Sequence, residues 1–385
     1  MKNERVYLDH SATTPVREEV LQAMWPFFAD AFGNPSSVHS DGGAPKEALA
    51  RAHSMVADVL GCRPGEIVFT GGGTEADNLA VLGYARSQRH RGNHVITTVI
   101  EHEAVLNSCR QLEREGFRVT YLPVDRDGLV DPHGVQAALT DETVLVSVML
   151  ANNEIGTVQP VAEISEIAHQ RGAVVHTDAV QAACLLDLNV NRLNVDLLSV
   201  SGHKVYGPKG VGALYVRHGI HLDPVIFGGG QEGNLRSGTE NVPGVVGLAV
   251  ALALAAAERD AEGHRLTELR DRLITGVLSS VSGAHLTGHP ARRLPGHASF
   301  YCDDVSGESL LVNLDVAGIS CSSGSACRAG STEASHVLTA IGLPTSLGRN
   351  GLRMTLGRGT SAEDVDRVLA VLPGIVEEVR GGIAV

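Results

Sequence analysis

Lysine is scarce in this chain: only Lys2, Lys46, Lys204 and Lys209 occur, and arginine supplies nearly all the remaining positive charge. The six cysteines (Cys62, Cys109, Cys184, Cys302, Cys321 and Cys327) include no Cys-x-x-Cys pair and no framework spacing. That argues against a disulfide scaffold and for a reducing compartment. No Cys/His pair has zinc-ligand spacing, and His285 and His289 lie in a glycine- and proline-rich stretch, so no metal is expected. Positive charge is in deficit, with a formal net charge of -13, which argues against direct binding to nucleic acid or an anionic membrane. Long apolar runs are missing too. The longest, Val245 to Ala257, is too short to span a bilayer and reads as a buried helix. Met1 to Asp9 is polar, without the apolar core or cleavage site of a signal peptide, and a cytoplasmic location is expected. No internal repeat is visible.

Against these absences stand 44 glycines and a 43% hydrophobic content, values that suit a well-buried enzyme with many ligand-binding turns. The length of 385 residues fits two domains. Strands are expected at Ile67–Thr70, His94–Val99, Arg118–Leu122, Val144–Leu150, Ala173–Thr177, Val195–Ser201 and Gly212–Val216, and a helix at Ala44–Leu60 closes on Gly61. Helical spacing separates most of the strands, over 74–89, 104–115, 132–139 and 161–171. The alternation predicts an α/β fold with a mostly parallel, doubly wound sheet. After Gly228 the pattern changes. A glycine-rich loop to Thr239 precedes a long helix from about Pro243, then a smaller α+β region with strands near 298–301, 319–322 and 352–355 and a final helix from Ala362. A large domain over 16–260 and a small one built from 1–15 and 261–385 are expected.

Ser201-Gly202-His203-Lys204 closes the apolar run Val195 to Val200. Ligands of open α/β sheets collect at the carboxyl ends of strands, so Lys204 stands where chemistry is done. A desolvated lysine can lose its proton and attack an aldehyde, which arginine cannot. Gly71-Gly72-Gly73-Thr74 joins a strand to a helix and can offer amides to an anion. It has neither the Gly-Lys-Ser/Thr ending of a nucleotide loop nor dinucleotide spacing, and by itself it also reads as a plain turn. Asp178, at the end of another strand, could face the ring nitrogen of a pyridoxal cofactor, or could simply cap a helix. Lysine, carboxylate and glycine–threonine loop together meet three requirements of that one cofactor. Ser201 and His203 could add donors for its phosphate. His102 could stack on a ring or sit as an ordinary helix-start histidine, and Asn153 could hold the ring oxygen or substrate. Arg353 suits a substrate carboxylate but equally a surface ion pair. Cys327, in the small-residue run Cys321-Ser322-Ser323-Gly324-Ser325-Ala326-Cys327-Arg328, has a neighbouring cation that favours thiolate.

Together these residues closely resemble the cysteine desulfurases of the NifS/IscS type, in the aminotransferase class V group of fold-type-I pyridoxal phosphate enzymes. The resemblance runs from Tyr7-Leu8-Asp9 and Ala12-Thr13-Thr14-Pro15 through Gly33-Asn34-Pro35-Ser36-Ser37, Glu101-His102, Asn152-Asn153-Glu154-Ile155-Gly156 and Arg236-Ser237-Gly238-Thr239 to Ser322–Cys327. It implies the fold-type-I architecture and pyridoxal 5'-phosphate joined covalently to Lys204. Asp178 would pair with the pyridine nitrogen, His102 would stack on the ring, and Gln181 and Asn153 would lie by the ring oxygen. Gly73, Thr74, Ser201 and His203 would hold phosphate, joined by Thr239 of a second copy, which implies a homodimer. Asn34 and Arg353 would hold the carboxylate of L-cysteine. Cys327 would take the substrate's sulfur as a persulfide for an acceptor protein, with alanine released. The destination (iron–sulfur clusters, tRNA thiolation or DNA phosphorothioation) stays open. His10, Arg328-Ala329-Gly330 and the nearby Cys321 depart from the usual pattern. A selenocysteine lyase or other class V aminotransferase, and a non-catalytic iron–sulfur assembly protein, are the competing readings.

Overall fold

The computed structural model describes residues 5–324 and 334–382. Strand β1 (Val6–Tyr7) opens the chain. The large sheet follows, from β2 (Ile67–Thr70), β3 (His94–Thr98), β4 (Arg118–Leu122), β5 (Thr143–Ser147), β6 (Val174–Asp178), β7 (Leu197–Ser201) and β8 (Gly212–Val216). Their order across the sheet is β2-β8-β7-β6-β5-β3-β4. The neighbours from β7 to β4 pair in parallel, while β8 runs antiparallel to both β7 and β2. The expected mostly parallel sheet is present. The reversal of β8 was not readable, because Gly212–Val216 is buried throughout and carries no mark of direction.

Alternate residues along the strands feed two cores, one on each face. Ile96, Val146, Val175, Leu198 and Ala213 belong to one; Val95, Leu145, Val174, Leu197 and Leu214 belong to the other. This is the pleat period of two at work, with helices covering both faces. Edge strand β2 has its free Phe69 amide donated to Glu232 Oε2 at 2.8 Å, which blunts the open edge.

A third core gathers Val6 and Leu8 with Leu266, Leu273, Phe300, Leu352, Met354 and Val368. It surrounds a three-stranded sheet of β9 (Ala284–Leu286), β10 (His297–Cys302) and β12 (Gly351–Thr355), ordered β12-β10-β9, all antiparallel. Strand β11 (Ile319–Ser320) pairs instead with β1. The N-terminal segment is thus sewn to the C-terminal region.

The helix Val242–Ser280 extends over 39 residues and joins the two cores. By length and composition it could cross a membrane; here Val242, Val245, Leu248, Ala249 and Leu252 are buried in the same core as Ala48, Ala52 and Val56 of the helix Gly43–Leu60. The single helix expected over 74–89 is interrupted. Residues Leu79–Gly83 form a wide π turn between the α-helical pieces Gly73–Asn78 and Tyr84–Ser87. A Cβ on Gly83 would meet the carbonyl of Asp223 at 2.6 Å, so the chain crosses at a position where no side chain fits. Such turns are short and local, and apolar periodicity does not announce them.

Candidate active site

The carboxyl ends of the parallel strands deliver the site. β7 ends at Ser201 and passes into a tight turn over Gly202–Lys204. β6 ends at Asp178, and the segment after β3 carries Glu101 and His102 to the start of the helix Glu103–Arg114. After β2, Gly72 takes φ = 151°, a conformation side chains rarely adopt, and the chain turns straight into the helix at Gly73. A Cβ on Gly73 would lie 2.8 Å from Val180 Cγ2, so the glycine permits helix and strand end to meet closely. These segments enclose a cavity of about 340 Å³, a volume within the usual range for small-molecule sites.

Most of the residues expected from the sequence border this one cavity: Gly73, Thr74, His102, Asn153, Asp178, Gln181, Ser201, His203, Lys204 and Arg353. Asn34 and Thr239 do not; both are exposed, and Asn34 Oδ1 accepts the amide of Ser36 at 2.9 Å. Cys327 and Arg328 lie outside the described residues. Sequence reasoning missed Asp77, Met149, His336 and the main chain of Ser11 and Ala12. For Asp77 a signal existed: a carboxylate among the buried apolar positions Ala76, Leu79 and Ala80 of one short helical stretch.

Lys204 Nζ donates to the carbonyls of Ser11 and, at 2.8 Å, Ala12. Gln181 Nε2 donates to the same Ser11 carbonyl at 3.0 Å. The loop after β1 therefore has a physical task. Its Thr14 amide and hydroxyl bind the His203 carbonyl at 2.9 and 3.0 Å, and the Thr14 hydroxyl oxygen takes the Tyr206 amide at 2.8 Å. Thr13 Oγ1 meets His203 Nδ1 at 3.1 Å. Those bonds lay the Ser11 and Ala12 carbonyls on the lysine. Burial, together with Lys204 and Lys209, pushes the His203 imidazole down to about 4, so it is neutral at pH 7.

Asp178 is 5% exposed and its Oδ1 accepts the Val180 amide at 2.9 Å. Burial raises its pKa, while the charges of His102 and Lys204 pull it back towards the ionised form. His102 caps its helix, with Nδ1 accepting the Ala104 amide at 3.2 Å. Glu101 is fully buried: Oε1 takes the Thr98 hydroxyl at 2.7 Å and the Met149 amide at 3.0 Å, and burial pushes it up to about 8.

From the three-stranded sheet comes Arg353, on β12 and 1% exposed. Its Nη2 donates to Asp9 Oδ1 at 2.8 Å, and its Nη1 donates at 3.1 Å to the carbonyls of both Asn153 and Gly324. Nε has no hydrogen-bond partner among the described residues. His297 Nε2 also donates to the Asn153 carbonyl, at 3.2 Å. Arg353 is thus a buried cation that borders the cavity and pairs with Asp9, not a surface ion pair. The nearby Cys321 thiol, pushed up to about 12 by burial and by Asp9, stays protonated.

A lysine amine, a buried carboxyl at a neighbouring strand end and the hydroxyls of Thr74 and Ser201 suit a group bearing an aldehyde, a ring nitrogen and a phosphate. Comparison with known proteins agrees. Residues 6–368 match the aminotransferase class-V family. The cysteine desulfurase IscS of Methanosarcina thermophila is 51% identical over 379 residues, covering 98% of this chain and 94% of that protein. Among solved structures, a NifS-like protein superposes with a TM-score of 0.91 at 37% identity, covering 97% of this chain and 99% of the other. SspA in complex with cysteine gives 0.81 at 39% identity, covering 91% and 98%. By its strand-end lysine and carboxyl, and by this likeness along nearly its whole length, the chain belongs to the aminotransferase class-V family.

Proposed function

We propose that this chain is a pyridoxal-phosphate-dependent cysteine desulfurase, which takes sulfur from L-cysteine, releases L-alanine and passes the sulfur on as a protein persulfide. The observation that carries the reading is the meeting of Lys204, Asp178, His102 and the Gly73–Thr74 turn around one cavity, with Arg353 entering from the second domain. When bound, pyridoxal phosphate supplies an electron sink that loosens bonds next to the substrate's α carbon.

Lys204 is the residue that would hold the cofactor's aldehyde, its amine aimed by the Ser11 and Ala12 carbonyls. Asp178 would keep the ring nitrogen cationic, and Thr74, Ser201 and His203 would hold phosphate as neutral donors. His102, fixed by its capping bond, would lie over the ring and move protons at its imidazole, with Gln181 and Asn153 by the ring oxygen. Arg353 would bind the cysteine carboxylate, exchanging its Asn153 or Asp9 bond for the substrate. The sulfur of Cys327 then accepts the substrate's sulfur atom: the carbon–sulfur bond breaks, a sulfur–sulfur bond forms, and a proton completes alanine. A cytoplasmic setting, an acceptor protein for the persulfide, and a homodimer in which Thr239 completes the partner's phosphate site complete the reading.

Incubation with L-cysteine, with alanine and protein persulfide both quantified, tests it. Equal yields of the two are expected from the parent chain. Cys327→Ser should keep the bound cofactor's absorbance and lose the persulfide; persulfide transfer persisting in that variant would remove Cys327 from its role.

A further inference from the structure

Asp77, in the helix Gly73–Asn78, borders the same cavity as Asp178 and is 1% exposed. Its Oδ1 has no hydrogen-bond partner among the described residues. His176 Nε2 lies 3.6 Å from it. That imidazole is already engaged, with Nδ1 against Ser147 Oγ at 2.8 Å and Nε2 against Ser199 Oγ at 3.0 Å. The groups facing Asp77 and Asp178 are His176 on β6, Glu101 and His102 after β3, and Lys204 after β7. They are unevenly shared. Asp178 has a backbone amide and the charges of His102 and Lys204. Asp77 has the Ser199 hydroxyl, with Asp178 and Glu101 against it as like charges. Two buried carboxyls that border one cavity and oppose each other as like charges do not readily both ionise, and the proton settles where the anion is least supported.

Resting on the proposed cofactor chemistry, we infer that Asp77 is a positioning residue that carries the proton shared by this carboxyl pair, leaving Asp178 ionised towards the ring nitrogen. Three features support it. Asp77 is burdened by burial and by Asp178, both of which raise its pKa. Fully buried His176 is pushed down to about 3 and cannot supply a countercharge at neutral pH. The sequence also places Asp77 three residues after Thr74, so one short helical segment would serve the phosphate end and the ring-nitrogen end together.

The test uses the cofactor-loaded full chain. Asparagine is the shape of a neutral acid, so Asp77→Asn should leave cofactor affinity and absorption maximum unchanged within about twofold, whereas Asp178→Asn should weaken cofactor binding about tenfold or more. Infrared difference spectra at neutral pH between the parent and Asp77→Asn should show the carbonyl stretch of a protonated carboxylic acid disappearing. No such loss, or a tenfold loss of cofactor affinity in Asp77→Asn with its melting temperature unchanged, would overturn the inference. An Asp178→Asn enzyme with unaltered spectrum and affinity would instead remove Asp178 from the ring nitrogen, and the infrared result on Asp77 would still decide where the shared proton sits. Asp77→Ser, smaller and neutral, repeats the infrared measurement if the asparagine variant does not fold.

Discussion

Two cations reach one cavity from different sheets, and the structure treats them differently. Lys204 comes off the large sheet and meets the main-chain carbonyls of Ser11 and Ala12, which orient an amine without neutralising it. Arg353 comes off the small sheet and meets the carboxylate of Asp9 as well as two carbonyls. Lys204 also feels the charge of Asp178, and its amine is of the kind that can join an aldehyde, which a guanidinium cannot. A guanidinium presents a planar fork of donors whose geometry suits a carboxylate. The lesson is that the two cations are set apart by their own chemistry, by the groups that orient them and by the sheet that delivers each. The loop after β1 serves both: Asp9 holds the arginine and residues 11–14 hold the lysine turn.

Substitutions should break this contrast in graded steps. Lys204→Ala removes the reacting amine, so alanine release from cysteine should fall at least about a thousandfold, together with the visible absorbance of the bound cofactor. Arg353→Lys keeps the charge and loses the fork. Steady-state kinetics should show KM for cysteine raised about tenfold with a smaller change in kcat. Glu101→Gln sharpens the electrostatic side of the comparison. The Glu101 carboxyl is pushed up to about 8 by burial, so the folded state holds its proton where the unfolded chain has released it. Between about 4.5 and 8 the native state therefore binds more protons, and stability from this group falls as pH rises. Glu101→Gln should come close to the parent at pH 5 and exceed it at pH 8 by roughly a few kcal/mol, read from denaturant melts at both pH values. The smallest effect belongs to Cys321→Ser. That thiol is protonated and half-buried, and persulfide yield should stay within about twofold of the parent.

Much of the site was legible because strand ends carry their own signature. An apolar run followed by Ser201-Gly202-His203-Lys204 announces a buried strand opening into a turn, and the same logic found Asp178 and the Gly71–Thr74 turn. The cation on β12 was legible only as a possibility. Arg353 in isolation reads equally as a surface pair, and it becomes a buried cation at the cavity once β12 is folded against the Asn153 carbonyl. Asp77 escaped because its meaning depends on a neighbour about a hundred residues away in sequence, Asp178, which no local pattern links to it. The direction of β8 and the π turn over Leu79–Gly83 escaped for a related reason, since burial on both faces erases the periodicity that tells direction and pitch.

By itself, the order of residues determined which segments become strands and helices and which side chains stand at their ends, since apolar period and glycine placement act over a few residues. Tertiary structure alone decided which strand ends become neighbours, which carbonyls face the lysine, and which of two buried acids is left without a countercharge. Those outcomes depend on sheet order and on desolvation, and both are properties of chain segments brought together from far apart.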